Sequence, residues 1–142
     1  MPRMKFSYEE VPLGASAAFP SGHIALRPAM TVVLRLADRR TTPVLGLVDS
    51  GADYCFFSPE YADSLGLDYK SLPCEAAYGI GEDRQVRFGT ITLEVAGLGA
   101  WEVYAGFSEA WSGRGYGMLG QLGFFDRFKI TFDQRRRIFE VM

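Results

Sequence analysis

Glycine and proline interrupt this chain too often for long helices. The 142 residues include 16 glycines and 7 prolines, and the apolar runs between them are short and rich in β-branched residues. Because glycine favours tight turns and proline ends helices, this pattern favours short strands joined by turns. Apolar residues make up 48% of the chain, enough for a packed core and too many for a disordered segment. We therefore expect an all-β (mainly β) domain with one or two short helices.

The order of apolar runs and turn signals predicts individual elements. Residues 1–29, rich in Pro, Gly, Ala and Ser over 11–28, predict an irregular N-terminal arm, and residues 30–142 the folded domain. Serine followed by proline predicts a helix start at Ser58, and Gly66 its end. A second short helix is expected around 124–128. The predicted strands cover 31–36, 43–48, 101–107, 129–132 and 137–141, with a long hairpin between 74 and 95.

Charge and cysteine content exclude several classes of function. Fifteen basic and 17 acidic side chains give a net charge of −2, so no basic field favours nucleic acid or an anionic membrane. A single histidine and two cysteines are too few for a zinc site or a disulfide framework. We expect Cys55 and Cys74 to be buried free thiols. No apolar run is long enough for a secretory signal, so we expect a cytoplasmic protein without metal or cofactor.

The most informative segment is the apolar strand 43–48, which runs directly into Asp49, Ser50, Gly51 and Ala52. A tight turn after a buried strand can hold a carboxylate rigidly at the floor of a cleft. The Gly51 amide can donate to that carboxylate, and the Ser50 hydroxyl can bond within the turn or to a partner chain. Asp, Ser and Gly are also ordinary turn residues, so the motif alone leaves a plain turn as an alternative.

Further motifs in the same order resemble those of the retropepsin-like aspartic proteases, including bacterial members. Met118, Leu119 and Gly120 are similar to the second hydrophobic-hydrophobic-glycine segment of that family. The tail from 128 to 139 is similar to its closing hairpin. The glycine-rich flap of the family falls on Tyr78, Gly79, Ile80 and Gly81. The resemblance covers roughly residues 30–142 and implies a single-lobe, closed, barrel-like β domain.

The resemblance also implies a reaction. Aspartic proteases hydrolyse peptide bonds with two carboxyls that share a proton, one acting as a base on water and the other as an acid. This chain has a single Asp-Ser/Thr-Gly motif, so the second carboxyl would be Asp49 of another subunit in a homodimer. Asp49 would be the catalytic residue, Ser50 would connect the active-site loops, and Gly51 and Ala52 would admit the substrate, a peptide or protein.

Two departures from the family pattern keep a second hypothesis open. Acidic residues follow the flap glycines, and Leu122 stands where an acidic or amide residue is common. The alternative is a catalytically weak or inactive retropepsin-like module for binding or dimerisation, and fold alone does not separate the two. If a peptide binds as an extended strand, its expected apolar neighbours are Val48, Ile80 and Leu119.

Overall fold

The computed structural model describes residues 3–77 and 84–142. In chain order the strands of this part are β1 (Met4–Ser7), β2 (Glu9–Leu13), β3 (His23–Arg27), β4 (Ala29–Leu36), β5 (Arg39–Arg40), β6 (Val44–Val48), β7 (Phe56–Phe57), β8 (Cys74–Ala77), β9 (Arg84–Val95), β10 (Gly99–Phe107), β11 (Tyr116–Leu119), β12 (Ile130–Asp133) and β13 (Ile138–Val141). One α-helix, α1 (Pro59–Ser64), and 3-10 turns at Tyr69–Ser71 and Glu109–Trp111 complete it.

Six of these strands close into a barrel. Their order is β4-β6-β11-β7-β10-β9, and β9 pairs back to β4, so each barrel strand has a neighbour on both sides. The short β5 extends from β4, and β8 extends from β9 as an edge strand. Closure removes the exposed strand edges that an open sheet would leave. The predicted all-β, closed, barrel-like domain with few helices is confirmed.

Alternating side chains fill the interior of the barrel. Along β10, Trp101, Val103 and Ala105 are buried while Glu102 and Tyr104 face outward, as expected for a pleated strand with one face on the core. The aromatic residues expected in the core are largely there: Phe56, Phe57, Phe124 and Phe128 are buried, and Phe125 packs against them half-buried. Full burial of such a side chain contributes roughly 1.5–3 kcal/mol, so these rings are a major source of stability.

Strands outside the barrel occupy much of the predicted irregular arm. β1 pairs with β13 in a three-stranded sheet completed by β12, and β2 pairs with β3 as a hairpin. Met4, Phe6 and Tyr8 alternate inward, and the Phe6 ring stacks on Phe139 at 5.2 Å. The expectation of irregular structure is therefore wrong for β1, whose residues follow a period-two pattern, and for both strands of the hairpin. Residues 14–22 are irregular as expected, and the domain boundary at residue 30 stays a prediction.

One predicted helix forms and the other does not. α1 begins after Ser58 and ends before Gly66, which has a φ of +78°, although the Ser58 side chain makes no capping hydrogen bond. Residues 124–128 form turns instead of the expected helix. The amide of Phe125 donates to the Gly120 carbonyl at 3.1 Å, and that of Asp126 to the Gln121 carbonyl at 3.0 Å. These two bonds span five residues, whereas the bonds of an α-helix span four. A single four-residue bond forms, from the Phe128 amide to the Phe124 carbonyl at 3.0 Å, which is too little for a helical ladder.

Two further expectations concern membranes and thiols. Within residues 3–77 and 84–142, no helix has the length and apolar character to cross a membrane. Both cysteines are free, but only Cys55 is buried, while Cys74 is exposed at the start of the edge strand β8. The expectation that both are buried is therefore wrong for Cys74, because an edge strand with one solvated face leaves its side chain uncovered.

Candidate active site

Parallel pairing between β6 and β11 brings two distant segments to the same end of the barrel. Leu47 lies opposite Met118 and Val48 opposite Leu119, so the residues that follow the two strands emerge side by side. β7 pairs antiparallel with the other edge of β11. The chain from β6 to β7 therefore crosses the end of β11. We call residues 49–53 the acid loop and residues 118–122 the second loop.

Backbone groups fix the Asp49 carboxylate. The Asp49 amide donates to the Leu119 carbonyl at 3.1 Å, and the Gly51 amide donates to Asp49 Oδ1 at 2.8 Å, as the sequence predicts. A Cβ at Gly51 would make a tight contact, 3.1 Å from that same oxygen, which the glycine avoids. Among the described residues Oδ2 accepts no hydrogen bond, so it is available to water or to a second carboxyl. Asp49 is half-buried, and Ser50 and Gly51 are exposed.

Hydrogen bonds lock the acid loop to the second loop. The Gln121 amide donates to the Ala52 carbonyl at 2.8 Å, and the Leu122 amide donates to the Asp53 carbonyl at 2.9 Å. The Gln121 side chain adds a bond from Nε2 to the Ser50 carbonyl, also at 2.8 Å. The backbone carbonyl of Ser50 thus connects the two loops within the chain, and the role expected of the Ser50 side chain stays a prediction. Sequence reasoning missed Gln121, and its signal is an amide side chain placed directly after the loop glycine.

The apolar residues near the acid loop differ from those expected. Val48 and Leu119 are 4% and 0% exposed, so both belong to the core and neither can line a peptide site. The assignment of Leu119 is wrong because the side chains of β11 alternate and this one faces the core, and that of Val48 is wrong because Val48 ends the strand β6, whose last three residues are all buried. Met118, one residue before Leu119, is the half-buried one, and it lies opposite Phe56. The remaining predicted neighbour, Ile80, lies outside the described residues together with the rest of the predicted flap, Tyr78, Gly79 and Gly81.

Polar groups extend from the acid loop in two directions. On one side the Tyr54 hydroxyl donates to Glu75 Oε1 at 2.6 Å, and this hydrogen bond raises the pKa of Tyr54 to about 12 because it favours the neutral phenol. On the other side lies an open depression, lined by Ser50, Asp53, Gln121, Leu122, Phe125 and Asp126. Within the described ranges, no group of three or more His, Cys, Asp or Glu side chains is arranged to hold a metal ion.

A solved structure with a similar chain path decides what fold this is. A retropepsin-like aspartic protease from Rickettsia conorii superposes with a TM-score of 0.55 at 13% sequence identity, over 93% of this chain and 98% of that one. The fold is retropepsin-like. No family model matches the sequence, and no curated protein matches it either. At this identity the likeness establishes the fold, and the activity has to be argued from the residues of the site.

The loop at the end of this retropepsin-like barrel holds the Asp49 carboxylate in place. Two backbone hydrogen bonds hold the main chain of Asp49, one to the Leu119 carbonyl and one from the Ala52 amide at 3.2 Å, and the Gly51 amide holds its carboxylate. Two exposed residues follow it. A single carboxylate held in this way can accept a proton from water, but it cannot also protonate a leaving group at the same moment. By itself, this carboxylate can therefore supply one of the two roles in general acid–base catalysis at a time.

Proposed function

We propose that this protein is an aspartic endopeptidase that acts as a homodimer, with one Asp49 from each subunit. The observation that carries the proposal is the fixed Asp49 carboxylate at an exposed loop, 2.8 Å from the Gly51 amide, on a retropepsin-like barrel. The exposed Ser50 and Gly51 leave room for the same loop of a second copy. A two-fold axis beside this loop would make the two Asp49 carboxyls neighbours.

The chemistry follows from two carboxyls in contact. Because two negative charges at short range repel each other, the two carboxyls share one proton, so that one is ionised while the other is protonated. The ionised Asp49 takes a proton from a water molecule, whose oxygen attacks the carbonyl carbon of the peptide bond. The protonated Asp49 donates to the carbonyl oxygen as the tetrahedral intermediate forms. Collapse of the intermediate breaks the C–N bond: one carboxyl gives its proton to the departing amine, and the other carboxyl takes a proton from a hydroxyl of the intermediate, which becomes the new carboxylic acid. The pair is left with one proton, as at the start.

The substrate would be a peptide or an exposed protein segment in an extended conformation. Tyr54 and Met118, both half-buried, flank the acid loop and offer partly apolar contacts to such a chain. The exposed edge strand β8 lies on the Tyr54 side, because Glu75 of that strand bonds Tyr54. The mechanism requires no metal or cofactor, and a cytoplasmic location stays a prediction from the sequence.

Replacement of Asp49 by asparagine tests this function. Asp49→Asn keeps the size of the side chain and an oxygen that can accept from Gly51, but removes the shared proton. We expect cleavage of a peptide library to fall by at least about a thousandfold, the scale of losing an essential acid–base group. The matched control is Asp63→Asn at the exposed end of α1, which should cleave like the wild type.

The two hypotheses predict different results in this assay. A peptidase loses cleavage in Asp49→Asn and retains its melting temperature and its dimer. If the protein is a binding or dimerisation module, neither variant changes the small residual cleavage. Equal cleavage by wild type and Asp49→Asn would therefore contradict the proposed function.

A further inference from the structure

One side-chain hydrogen bond connects the acid loop to the far edge of the sheet. The Tyr54 hydroxyl donates to Glu75 Oε1 at 2.6 Å. Tyr54 directly follows the acid loop, whereas Glu75 lies in β8, which pairs only with β9 in the described part of the chain. In the strand order β7, β10 and β9 separate β8 from β11 and β6. The hydrogen bond therefore joins two regions that backbone pairing leaves unconnected.

Aromatic neighbours hold the Tyr54 ring in place. Its centroid lies 4.9 Å from that of Phe56 and 4.9 Å from that of Phe88, the latter edge-on at 90°. Both neighbours are 7% exposed, and the Tyr54 backbone forms a bridge with Leu122. With ring and backbone held, the hydroxyl has a defined position and little entropy remains to be lost when it bonds Glu75.

The acceptor of this bond lies on a strand with few constraints. Glu75 is exposed, and its strand is a four-residue edge strand with one unpaired side among the described residues. Edge strands of this kind open more readily than strands with two neighbours. A hydrogen bond from a fixed phenol to a carboxylate is of the stronger, charge-assisted class. It holds β8 at a set distance from the acid loop.

We propose that Tyr54 is a positioning residue that acts through Glu75. It holds β8 beside the acid loop, so that an extended peptide binds against a strand that is already ordered. This inference rests on the proposed peptidase function. Tyr54 carries no proton of the reaction, which belongs to the Asp49 pair. Its contribution is to substrate binding, because a strand that is already ordered loses less entropy when the peptide binds.

The effect should appear in KM and leave kcat nearly unchanged. Tyr54→Phe removes one oxygen and keeps the ring contacts with Phe56 and Phe88, so the acid loop should retain its structure. Loss of one hydrogen bond to an exposed charged acceptor predicts a rise in KM of about three- to tenfold. Glu75→Ala should give the same rise, and the double variant no more than either single one. Glu75→Gln keeps an acceptor oxygen and should recover most of the wild-type KM.

Tyr104→Phe is the matched control. Tyr104 also stacks on Phe88, with centroids 5.3 Å apart, and within the described residues its hydroxyl makes no side-chain hydrogen bond. We expect KM and kcat of this variant to equal those of the wild type. An unchanged KM in Tyr54→Phe, or a fall in kcat alone, would overturn the positioning role.

Amide hydrogen exchange in β8 separates this inference from the peptidase proposal, since it needs no substrate. We expect the amides of Cys74–Ala77 to exchange about three- to tenfold faster in Tyr54→Phe than in Tyr104→Phe, in line with the change in KM. Equal exchange in the two variants would overturn the inference whatever the catalytic activity. If β8 exchanges faster in Tyr54→Phe but the wild-type protein hydrolyses no peptide, the inferred role of the Tyr54–Glu75 hydrogen bond in holding β8 is upheld. That result would contradict the proposed peptidase function instead.

Discussion

Gly120 is the position where a single methyl group tests how the two loops fit together. The residue is buried at the crossing of the acid loop and the second loop. A Cβ built there collides with the Tyr54 carbonyl oxygen and lies 2.6 Å from the Ala52 carbonyl oxygen and 2.8 Å from the Tyr54 carbonyl carbon. All three atoms are backbone, so no side chain can rotate away. Gly120→Ala must therefore displace the acid loop.

The size of the effect follows from these contacts. Overpacking of a well-packed site costs typically about 1–3 kcal/mol, and contacts with rigid backbone on two residues place this variant near 3 kcal/mol. At about 3 °C per kcal/mol for a chain of this length, the melting temperature should fall by about 9 °C. Because the displaced loop carries Asp49, cleavage should fall by about a hundredfold even at temperatures where the variant is folded.

Thermal unfolding followed by circular dichroism measures the first effect, and peptide cleavage the second. Gly14→Ala is the control, because Gly14 is exposed and a Cβ there has no atom within 4 Å. We expect that variant to melt and cleave like the wild type. If Gly120→Ala melts within about 1 °C of Gly14→Ala, the close crossing of the loops does not exist in solution.

Other predictions concern the core and the thiols. Phe139 is fully buried against Phe6, so Phe139→Ala should lower the free energy of unfolding in urea by about 4 kcal/mol, and a loss below about 1 kcal/mol would contradict the packing of β1 on β13. In native protein at pH 8, alkylation should modify the exposed Cys74 and spare Cys55, whose pKa burial raises to about 12; two modified thiols per native chain would contradict this. In the unfolded chain the Cys55 thiol ionises near its ordinary pKa of 9.0, whereas in the folded chain its pKa is about 12. The free energy of unfolding should therefore fall as the pH rises from 9.0 to about 12, and it should fall less steeply in Cys55→Ala. Equal slopes in wild type and variant would contradict the burial of this thiol.

Local patterns in the sequence predicted most of the barrel strands. Strand β10 alternates buried and exposed side chains, and the apolar run of β6 ends at a turn that holds Asp49 through the Gly51 amide. These features depend on neighbours along the chain, and period-two patterning expresses them directly. The same pattern was present in β1, but its pairing partner β13 lies at the other end of the chain.

Long-range backbone contacts explain what the residues alone did not predict. The parallel register of β6 with β11 places Gly120 against the acid loop, and only the family resemblance suggested that these segments belong together. The bond from Gln121 to the Ser50 carbonyl depends on that register. At 124–128 the carbonyls of Gly120 and Gln121 accept amides five residues ahead, and a single bond of the α-helical span forms, from Phe128 to Phe124. The apolar run that predicted a helix does not show this difference.

The central claim is that each active site takes one Asp49 from each of two subunits, and mixing wild-type protein with Asp49→Asn tests it most directly. Subunits exchanged to equilibrium at a constant total concentration should assort at random. An equimolar mixture would then contain about a quarter wild-type dimers and retain about a quarter of the wild-type cleavage rate. A mixture that retains about half of the rate would show that each subunit cleaves by itself, and would contradict the shared site.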